Sequence, residues 1–154
     1  SEINSEIQVK AMTEYAASKG LTVRTATIST VNDIQQAAQS IINDVDVFYE
    51  PTDNVIASAM PTLTSVTDPA GKGVICGYVG GVTAGAFATK GIDYYKLGVQ
   101  TGHMAADILA GKAKPSEMKI ETAHDLVVVI NKKNAEKIGL TIPADVLNGA
   151  TIVP

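Results

Sequence analysis

The chain has 154 residues, a length typical of one domain, and 45% of them are hydrophobic while 18% are charged. This composition supplies enough apolar material for a core and argues against intrinsic disorder. The formal charge is −4, from 16 Asp and Glu against 12 Lys and Arg. Arg24 is the only arginine in the sequence, so binding to the phosphates of nucleic acid is not expected.

Membrane spans, disulfides and metal sites also lack their sequence signals. No apolar run approaches the roughly 20 residues that a bilayer crossing needs. The polar start SEINSEIQVK does not resemble a signal peptide, so a targeting segment is expected only outside this chain. Cys76 is the only cysteine, and together with His103 and His124 it offers too few ligands for a Cys/His zinc site. The residues therefore indicate neither a metal nor a cofactor.

The first third of the chain predicts a helix, a strand and a second helix. Apolar residues recur at helical spacing from Ile3, and Gly20 is placed to end that helix in the left-handed conformation. The β-branched stretch LTVRTAT at 21–27 predicts a strand. Asn32 and Gln35 have the spacing of a capping box, which predicts that the next helix begins there.

The middle of the chain continues the alternation. Residues 46–50 (DVFYE) predict a short apolar strand. Residues 52–60 follow as a helix that Pro61 is expected to kink or end. Residues 73–77 (GVICG) predict another strand, and the glycine-rich stretch 80–93 predicts a short helix, a strand and a bend.

The longest predicted helix occupies residues 93–110. Asp93 suits its N-terminus, where a carboxylate can cap the helix and oppose its dipole, and Tyr94 falls on its apolar stripe and is expected in the core. Residues 120–131 contain the fully apolar strand LVVVI, and two short helices follow it, capped by Asn131 and started by Pro143. Short strands alternating with longer helices favour βαβ units, so the predicted fold is α/β: a Rossmann-like three-layer sandwich with a mainly parallel sheet.

Ligands of an open α/β sheet bind outside the carboxyl ends of its strands. The densest polar group at such an end is Pro51-Thr52-Asp53-Asn54, which follows one strand and begins a helix. A free α-amino acid suits it, because its ammonium group can face Asp53 while its carboxylate faces free helix N–H groups. The alternative is that Asp53 or Asn54 only caps the helix.

The remaining candidates point to binding and not to catalysis. The loop at 76–81 has neither dinucleotide nor Walker A spacing, so nucleotide phosphate binding is not supported. Tyr78 either stacks on a flat ligand or packs under the next helix. Neither His103 nor His124 has a Gly-flanked serine partner, and Cys76 is expected to behave as a small hydrophobe. An enzyme is therefore not expected.

The segments PTDNVIASAM, GIDYYKLGVQTG and DLVVVINKKNAEKIGLTIPADVL resemble the ABC transporter substrate-binding proteins of the tryptophan/tyrosine-type family, and the resemblance covers nearly the whole chain. It implies one lobe of a type I periplasmic-binding-protein fold, in which two Rossmann-like lobes joined by a hinge close on a ligand. It also implies an extracytoplasmic protein, a membrane-anchored lipoprotein or a periplasmic one. Such a protein delivers an amino acid, possibly an aromatic one, or a similar small polar ligand to an ABC permease.

The resemblance also implies site residues. The loop Ser1–Ser5 and the PTDN segment are expected to face the cleft, and Asp93 to lie near the hinge and cleft rim. Many relatives carry an acidic residue in the loop where this chain has Tyr78-Val79, so Tyr78 is expected to offer an aromatic surface. The expected ligand contacts are Asn4, Ser5, Thr52, Asp53, Asn54, Tyr78 and Asp93.

Relatives of this family are longer, and the chain matches only their second half. Residues 1–154 are therefore expected to form the C-terminal lobe alone, without the N-terminal lobe and without the first strand of this lobe. Half a cleft predicts weak or undetectable binding by this chain alone, and an unpaired sheet edge predicts self-association. The alternative function is the ligand-sensing effector domain of a regulator with the same fold, and a small α/β enzyme is a further rival.

Overall fold

A computed structural model describes residues 2–153, which form eight α-helices, two 3-10 helices (Val31–Asp33 and Asp68–Ala70) and five strands. The helices are α1 Ile3–Ser18, α2 Ile34–Ile41, α3 Asn54–Ala57, α4 Met60–Thr67, α5 Val79–Ala84, α6 Tyr94–Leu109, α7 Lys132–Lys137 and α8 Ala144–Leu147. The strands are β1 Val47–Glu50, β2 Gly73–Tyr78, β3 Ala88–Ile92, β4 Leu126–Asn131 and β5 Thr151–Val153. Within this range no helix is both long enough and apolar enough to cross a membrane.

The five strands form one sheet in the order β1-β2-β3-β4-β5. All neighbouring strands are parallel except β3 and β4, which run antiparallel. The predicted α/β class with a mainly parallel sheet is therefore confirmed. Because Ile92 at the end of β3 pairs with Leu126 at the start of β4, residues 93–125 leave the carboxyl edge of β3 and return to the same edge. We call residues 93–125 the excursion.

The core lies on one face of the sheet, beneath α2, α4 and α5. Alternate residues of a strand point to opposite faces, and in β1 the buried residues are Phe48 and Glu50 while Val47 and Tyr49 are exposed. The strands and helices of the buried face contribute Ile34, Ala38, Phe48, Met60, Leu63, Val74, Cys76, Val82, Ala86 and Val129 to one hydrophobic cluster. The other face of β1 is half open to solvent, so this short apolar strand is covered on one face only.

Two predictions about the first third of the chain are wrong. Residues 21–27 form no strand, because β1 pairs only with β2 and the described residues supply no strand to pair with this β-branched stretch. The predicted capping box of Asn32 and Gln35 does not form. A 3-10 turn at Val31–Asp33 precedes α2, and Thr30 caps that turn in a capping box two residues earlier, in which Asp33 accepts hydrogen bonds from the Thr30 hydroxyl and backbone N–H.

Two further elements differ from the predicted pattern. Pro61 lies in the first turn of α4 and does not end a helix, since a proline at that position lacks only an N–H that has no helical acceptor. β5 at Thr151–Val153 was not predicted, because three residues are too few to show an alternating pattern. The predicted caps Asp93 of α6 and Asn131 of α7 are confirmed, and each accepts hydrogen bonds from backbone N–H groups of its helix.

The apolar stripe of α6 is not buried. No residue of this helix is buried, and Tyr94, which was expected in the core, is 54% exposed. Within residues 2–153 the stripe contacts the Tyr78 ring and residues 118–125 but no face of the sheet, because the excursion extends from the carboxyl end of β3 and does not cross such a face. Helical spacing predicted the element correctly but not the surface against which it would pack.

Candidate functional site

The loop between β1 and α3 is built around Asp53. Its backbone is extended, and its Oδ1 accepts hydrogen bonds from the backbone N–H groups of Val55 at 2.9 Å and Ile56 at 3.3 Å. Asp53 therefore caps α3, as one of the two sequence interpretations held. Asp53 also lines a cavity, and it is only 4% exposed.

The start of α1 is hydrogen-bonded to this loop. The amide of Asn4 donates to the carbonyl of Thr52 at 2.6 Å, and the hydroxyl of Ser5 donates to Oδ2 of Asp53 at 2.8 Å. The structure thus brings Asn4 and Ser5 to the PTDN segment across more than forty residues of sequence. Ser1 lies outside the described residues, so the predicted loop is seen from Glu2 onward.

Two more side chains hydrogen-bond to the PTDN loop: Gln8, which was not predicted, and Glu2, which lies in the predicted loop but was not named as a site residue. The side-chain oxygen of Gln8 accepts from the backbone N–H of Thr52 at 2.9 Å, and Oε1 of Glu2 accepts from the amide of Asn54 at 2.9 Å. A signal for Gln8 was available, because it follows Asn4 by one helical turn and so lies on the same face of α1.

Hydrogen bonds keep Asp53 ionised. Burial raises its pKa, but the donors that surround it outweigh burial and lower the pKa below the ordinary value. These donors are the Ser5 hydroxyl and the backbone N–H groups of Ile56, Val55 and Glu2. The carboxylate therefore has its acceptor capacity taken up by the protein itself.

A cavity of about 120 Å³ lies where the PTDN loop, the end of β2 and the start of α6 meet. The rings of Tyr78 and Tyr94 stand on one side of it, with centroids 6.4 Å apart and planes inclined at 58°. Its lining consists of Thr52, Asp53, Asn54, Ala57, Tyr78 and Tyr94. We call it the PTDN cavity. Four of the seven predicted site residues line it, and Asn4 and Ser5 are hydrogen-bonded to its wall.

Asp93 is the exception among the predicted residues. It lines a larger cavity of about 440 Å³ between α6 and residues 118–125, and its Oδ1 accepts from the backbone N–H groups of Tyr95 and Lys96. Its neighbour Tyr94 reaches the PTDN cavity instead. Asp93 is therefore adjacent in sequence to a residue of the PTDN cavity but does not itself line that cavity.

A second acid adjacent to the PTDN loop was not predicted to have any role. Glu50, the last residue of β1, is 1% exposed, and within the described residues neither of its side-chain oxygens has a hydrogen-bond partner. Burial, and then the negative charge of Asp53, raise its pKa to about 8. The sequence signal was a glutamate two residues after Phe48, and therefore on the buried face of an otherwise apolar strand.

The other ionisable groups beneath the site do not indicate a nucleophile. Burial raises the pKa of the Cys76 thiol to about 11, and Cys76 is 1% exposed. A thiolate is therefore not formed near neutral pH, which agrees with the prediction of a small hydrophobe. Burial and the charge of Glu50 also raise the pKa of Tyr78.

Comparison with known proteins gives a consistent result. The family model described as ABC transporter substrate binding protein matches residues 1–153. A tyrosine-binding protein of Clostridioides difficile is 35% identical over 140 residues, which is 91% of this chain and 40% of that protein. The chain thus spans less than half the length of this curated relative.

Two solved structures are similar in fold and sequence. One is an ABC domain from Streptococcus pneumonia in complex with L-Trp, with a TM-score of 0.88 and 36% identity over 97% of this chain and 51% of that one. The other is a ligand-free, open substrate-binding protein with adhesive properties from Clostridium difficile, with a TM-score of 0.76 and 37% identity over 99% of this chain and 51% of that one.

These matches confirm the resemblance that the motifs indicate and the fold of a periplasmic-binding-protein domain. They favour a solute-binding protein over an enzyme and over the effector domain of a regulator. The chain belongs to the family of ABC transporter substrate-binding proteins.

Proposed function

We propose that this chain is the ligand-binding C-terminal lobe of the solute receptor of an ABC importer, and that it binds an aromatic amino acid or a similar small polar ligand in the PTDN cavity. The observation that carries the proposal is the composition of this cavity, where the polar groups of one loop face two tyrosine rings. It lies at the carboxyl ends of parallel strands, where α/β sheets hold their ligands.

The two sides of the cavity suit the two parts of an aromatic amino acid. The Thr52 hydroxyl and the exposed Asn54 amide are hydrogen-bonding partners for its charged backbone groups. The rings of Tyr78 and Tyr94 offer a surface on which a flat side chain can stack. A relative that is a tyrosine-binding protein and a neighbour that holds L-Trp support this ligand class.

The residues around the cavity have different roles in this proposal. Thr52, Asn54 and Tyr78 contact the ligand. Asn4 and Ser5 hold the loop in position, because they hydrogen-bond to Thr52 and Asp53 without lining the cavity. Asp53 holds it from within, because its carboxylate caps α3 and accepts the Ser5 hydroxyl. Asp93 lies at the rim, where it caps the helix that presents Tyr94.

The size of the cavity supports a site shared between two lobes. Its volume of about 120 Å³ is well below the roughly 300–1,000 Å³ of typical ligand pockets. In the complete receptor a second lobe closes over the ligand and shifts the population toward a form that the permease recognises. We place this receptor outside the cytoplasm, as a membrane-anchored lipoprotein or a periplasmic protein, in keeping with its family.

A titration followed by amide NMR tests the ligand site. L-tyrosine and L-tryptophan are expected to bind this chain weakly and to shift the signals of residues 52–54, 78 and 94, while L-alanine does not. Tyr94→Ala should weaken binding by about 1 kcal/mol, or about fivefold. Tyr15→Ala is the control, because Tyr15 is similarly exposed but lies on α1 away from the cavity. Shifts confined to other residues, or equal shifts with alanine, would contradict the proposal.

The free edge of the sheet is a further site of interaction. Among the described residues β1 pairs only with β2, so its outer edge has unpaired backbone donors and acceptors. We expect a strand from a second copy of this chain to pair there when no other strand does. Sedimentation across a concentration series should show reversible dimers, and a monomer at every concentration would contradict the expectation.

A further inference from the structure

Glu50 is a buried acid without a local explanation. It ends β1 on the same face as Phe48 and lies opposite Cys76 of β2. Its side chain is 1% exposed, and neither oxygen has a hydrogen-bond partner within residues 2–153. A buried polar group without partners destabilises a fold, so each such group calls for a functional or structural reason.

Within residues 2–153, the charged group that acts on Glu50 is another acid, Asp53, and not a cation. The ionisable groups that interact electrostatically with Glu50 are Tyr49 of β1, Asp53 of the loop, and Cys76 and Tyr78 of β2. The helices over this face, α2, α4 and α5, contain no Asp, Glu, His, Lys or Arg. With its pKa raised to about 8 by burial, Glu50 carries a proton at neutral pH in the ligand-free chain.

The contrast with Asp53 identifies which acid is available to a ligand. Oδ1 of Asp53 accepts two backbone N–H groups and Oδ2 accepts the Ser5 hydroxyl, so this carboxylate is committed to holding the loop. Glu50 has comparable burial and no such commitment. Of the two neighbouring acids, Glu50 alone retains its full acceptor capacity.

Glu50 lies behind the wall of the PTDN cavity. Its charge is coupled to Asp53 and Tyr78, which both line that cavity, and it is two residues from Thr52, which lines it as well. The ring of Tyr78 packs against Gly80 and Gly81, and a Cβ added at either glycine would lie 3.3 Å from it. Glu50 itself is not among the lining residues, so contact between its carboxyl group and a ligand in the cavity requires a displacement of the Tyr78 ring or of the Glu50 side chain.

We propose that Glu50 is a specificity-determining residue of the PTDN cavity and that it receives the positively charged ammonium group of the bound ligand. The inference rests on the proposed function, since it assigns a role within the same ligand site. It selects ligands that carry an amino group over otherwise identical ligands that lack one. The polar and aromatic groups of the cavity wall do not make this selection by themselves, because none of them is an uncommitted anion.

Binding is then coupled to protons. An ammonium group beside Glu50 favours the carboxylate, so Glu50 loses its proton to the buffer as the ligand binds. Protons compete with the ligand as long as the pH is below the pKa of Glu50 in the free chain. The affinity for a ligand that carries an amino group should therefore be up to about tenfold higher at pH 7 than at pH 6.

The test compares three probes that differ in one charged group. L-tyrosine has both charges, tyramine keeps only the ammonium group, and 3-(4-hydroxyphenyl)propanoate keeps only the carboxylate. Each is titrated by amide NMR at pH 6 and pH 7 into the wild-type chain, Glu50→Gln and Glu14→Gln. Glu14 is exposed on α1, so the last variant removes one acid without touching the site.

We expect Glu50→Gln to bind L-tyrosine and tyramine at least about tenfold more weakly at pH 7 and to lose the pH dependence. The amine-free probe should bind all three proteins equally at either pH. Unchanged tyrosine affinity and pH dependence in Glu50→Gln would overturn the inference while leaving the proposed function intact. If the wild type binds none of the probes, the proposed function itself is wrong and the inference falls with it.

A measurement on the wild-type chain covers the case in which Glu50→Gln does not fold. The side-chain carboxyl carbon of Glu50 is followed by ¹³C NMR through a pH titration, with and without saturating tyramine. The titration midpoint is expected to move to lower pH when tyramine is bound. A midpoint that does not move would overturn the inference.

Discussion

The buried face of the sheet and the excursion 93–125 carry similar apolar patterns but differ in burial. Leu63 of α4 is 7% exposed, whereas Leu109 of α6 is 89% exposed, although each lies on a helix with apolar residues at regular spacing. The difference comes from topology. α4 packs against the sheet and α2. In contrast, α6 belongs to a segment that leaves the sheet at the carboxyl end of β3 and returns there at the start of β4, and it covers neither face. An amphipathic pattern therefore predicts that a helix forms, and the chain path decides whether its stripe is buried.

On the buried face, the largest expected effect is the pH dependence of stability that Glu50 causes. Folding raises the pKa of Glu50 from 4.5 to about 8, so between these values the native state holds a proton that the unfolded state has lost. Stability from this group is complete below about pH 4.5 and is lost as the pH rises to about 8. At about 1.36 kcal/mol per pH unit, the upper bound of this loss is about 5 kcal/mol.

Urea unfolding of the wild type and Glu50→Gln at pH 5 and pH 9 measures this loss. The glutamine variant cannot ionise, so it should gain stability relative to the wild type as the pH rises. Glu14→Gln, which changes an exposed acid, should not. A constant difference between wild type and Glu50→Gln across this range would show that Glu50 is not protonated in the folded chain.

A matched pair of leucines measures how much each region contributes to stability. Leu63→Ala removes a buried side chain and should lower the free energy of unfolding by about 3 kcal/mol, from lost burial and the cavity that remains. Leu109→Ala changes an exposed position and should cost less than about 0.5 kcal/mol. Urea denaturation gives both values, and equal losses would mean that Leu109 is buried in solution.

A matched pair of glycines should show effects of opposite sign. Gly81→Ala on α5 would place a Cβ 2.6 Å from the sulfur of Cys76, and this overpacking should destabilise the chain by about 1–3 kcal/mol. Gly98→Ala on α6 meets no atom within 4 Å and should stabilise that helix by up to about 1 kcal/mol. Thermal unfolding monitored by circular dichroism distinguishes them, and a loss of stability in both would contradict the comparison.

The sequence predicted what depends on local chemistry and missed what depends on partners. Asp93 and Asn131 were recognised as caps because a cap is decided within a few residues. Residues 21–27 have the composition of a strand but no neighbouring strand to pair with among the described residues, and no local pattern reveals that absence.

The same distinction applies to the candidate site. The PTDN loop was found because its polar residues follow a strand directly, and the sheet then brings Tyr78 beside it. Glu50 was missed because its importance comes from burial and from the lack of a hydrogen-bond partner, which are properties of the folded chain. The contacts of Gln8 and Glu2 were missed because they cross from α1 to a loop far away in sequence.

The smallest effect on stability is expected from the hydrogen bonds that hold residues 121–124 against α6 within the excursion. Gln100 of α6 holds residues 121–124: its amide donates to Glu121 and to the carbonyl of Thr122, and its side-chain oxygen accepts from the backbone N–H of His124. These bonds are exposed, so each contributes at most about 1 kcal/mol, and only locally.

Gln100→Ala should therefore leave the urea midpoint of the whole chain unchanged while it speeds amide hydrogen exchange at His124, whose N–H loses its acceptor. Gln39→Ala, an exposed glutamine of α2, is the control and should alter neither quantity. If Gln100→Ala instead lowers the midpoint as Leu63→Ala does, the excursion unfolds together with the sheet. The two regions would then form one cooperative unit despite their different burial, and the exposed stripe of α6 could not be treated as independent of the core.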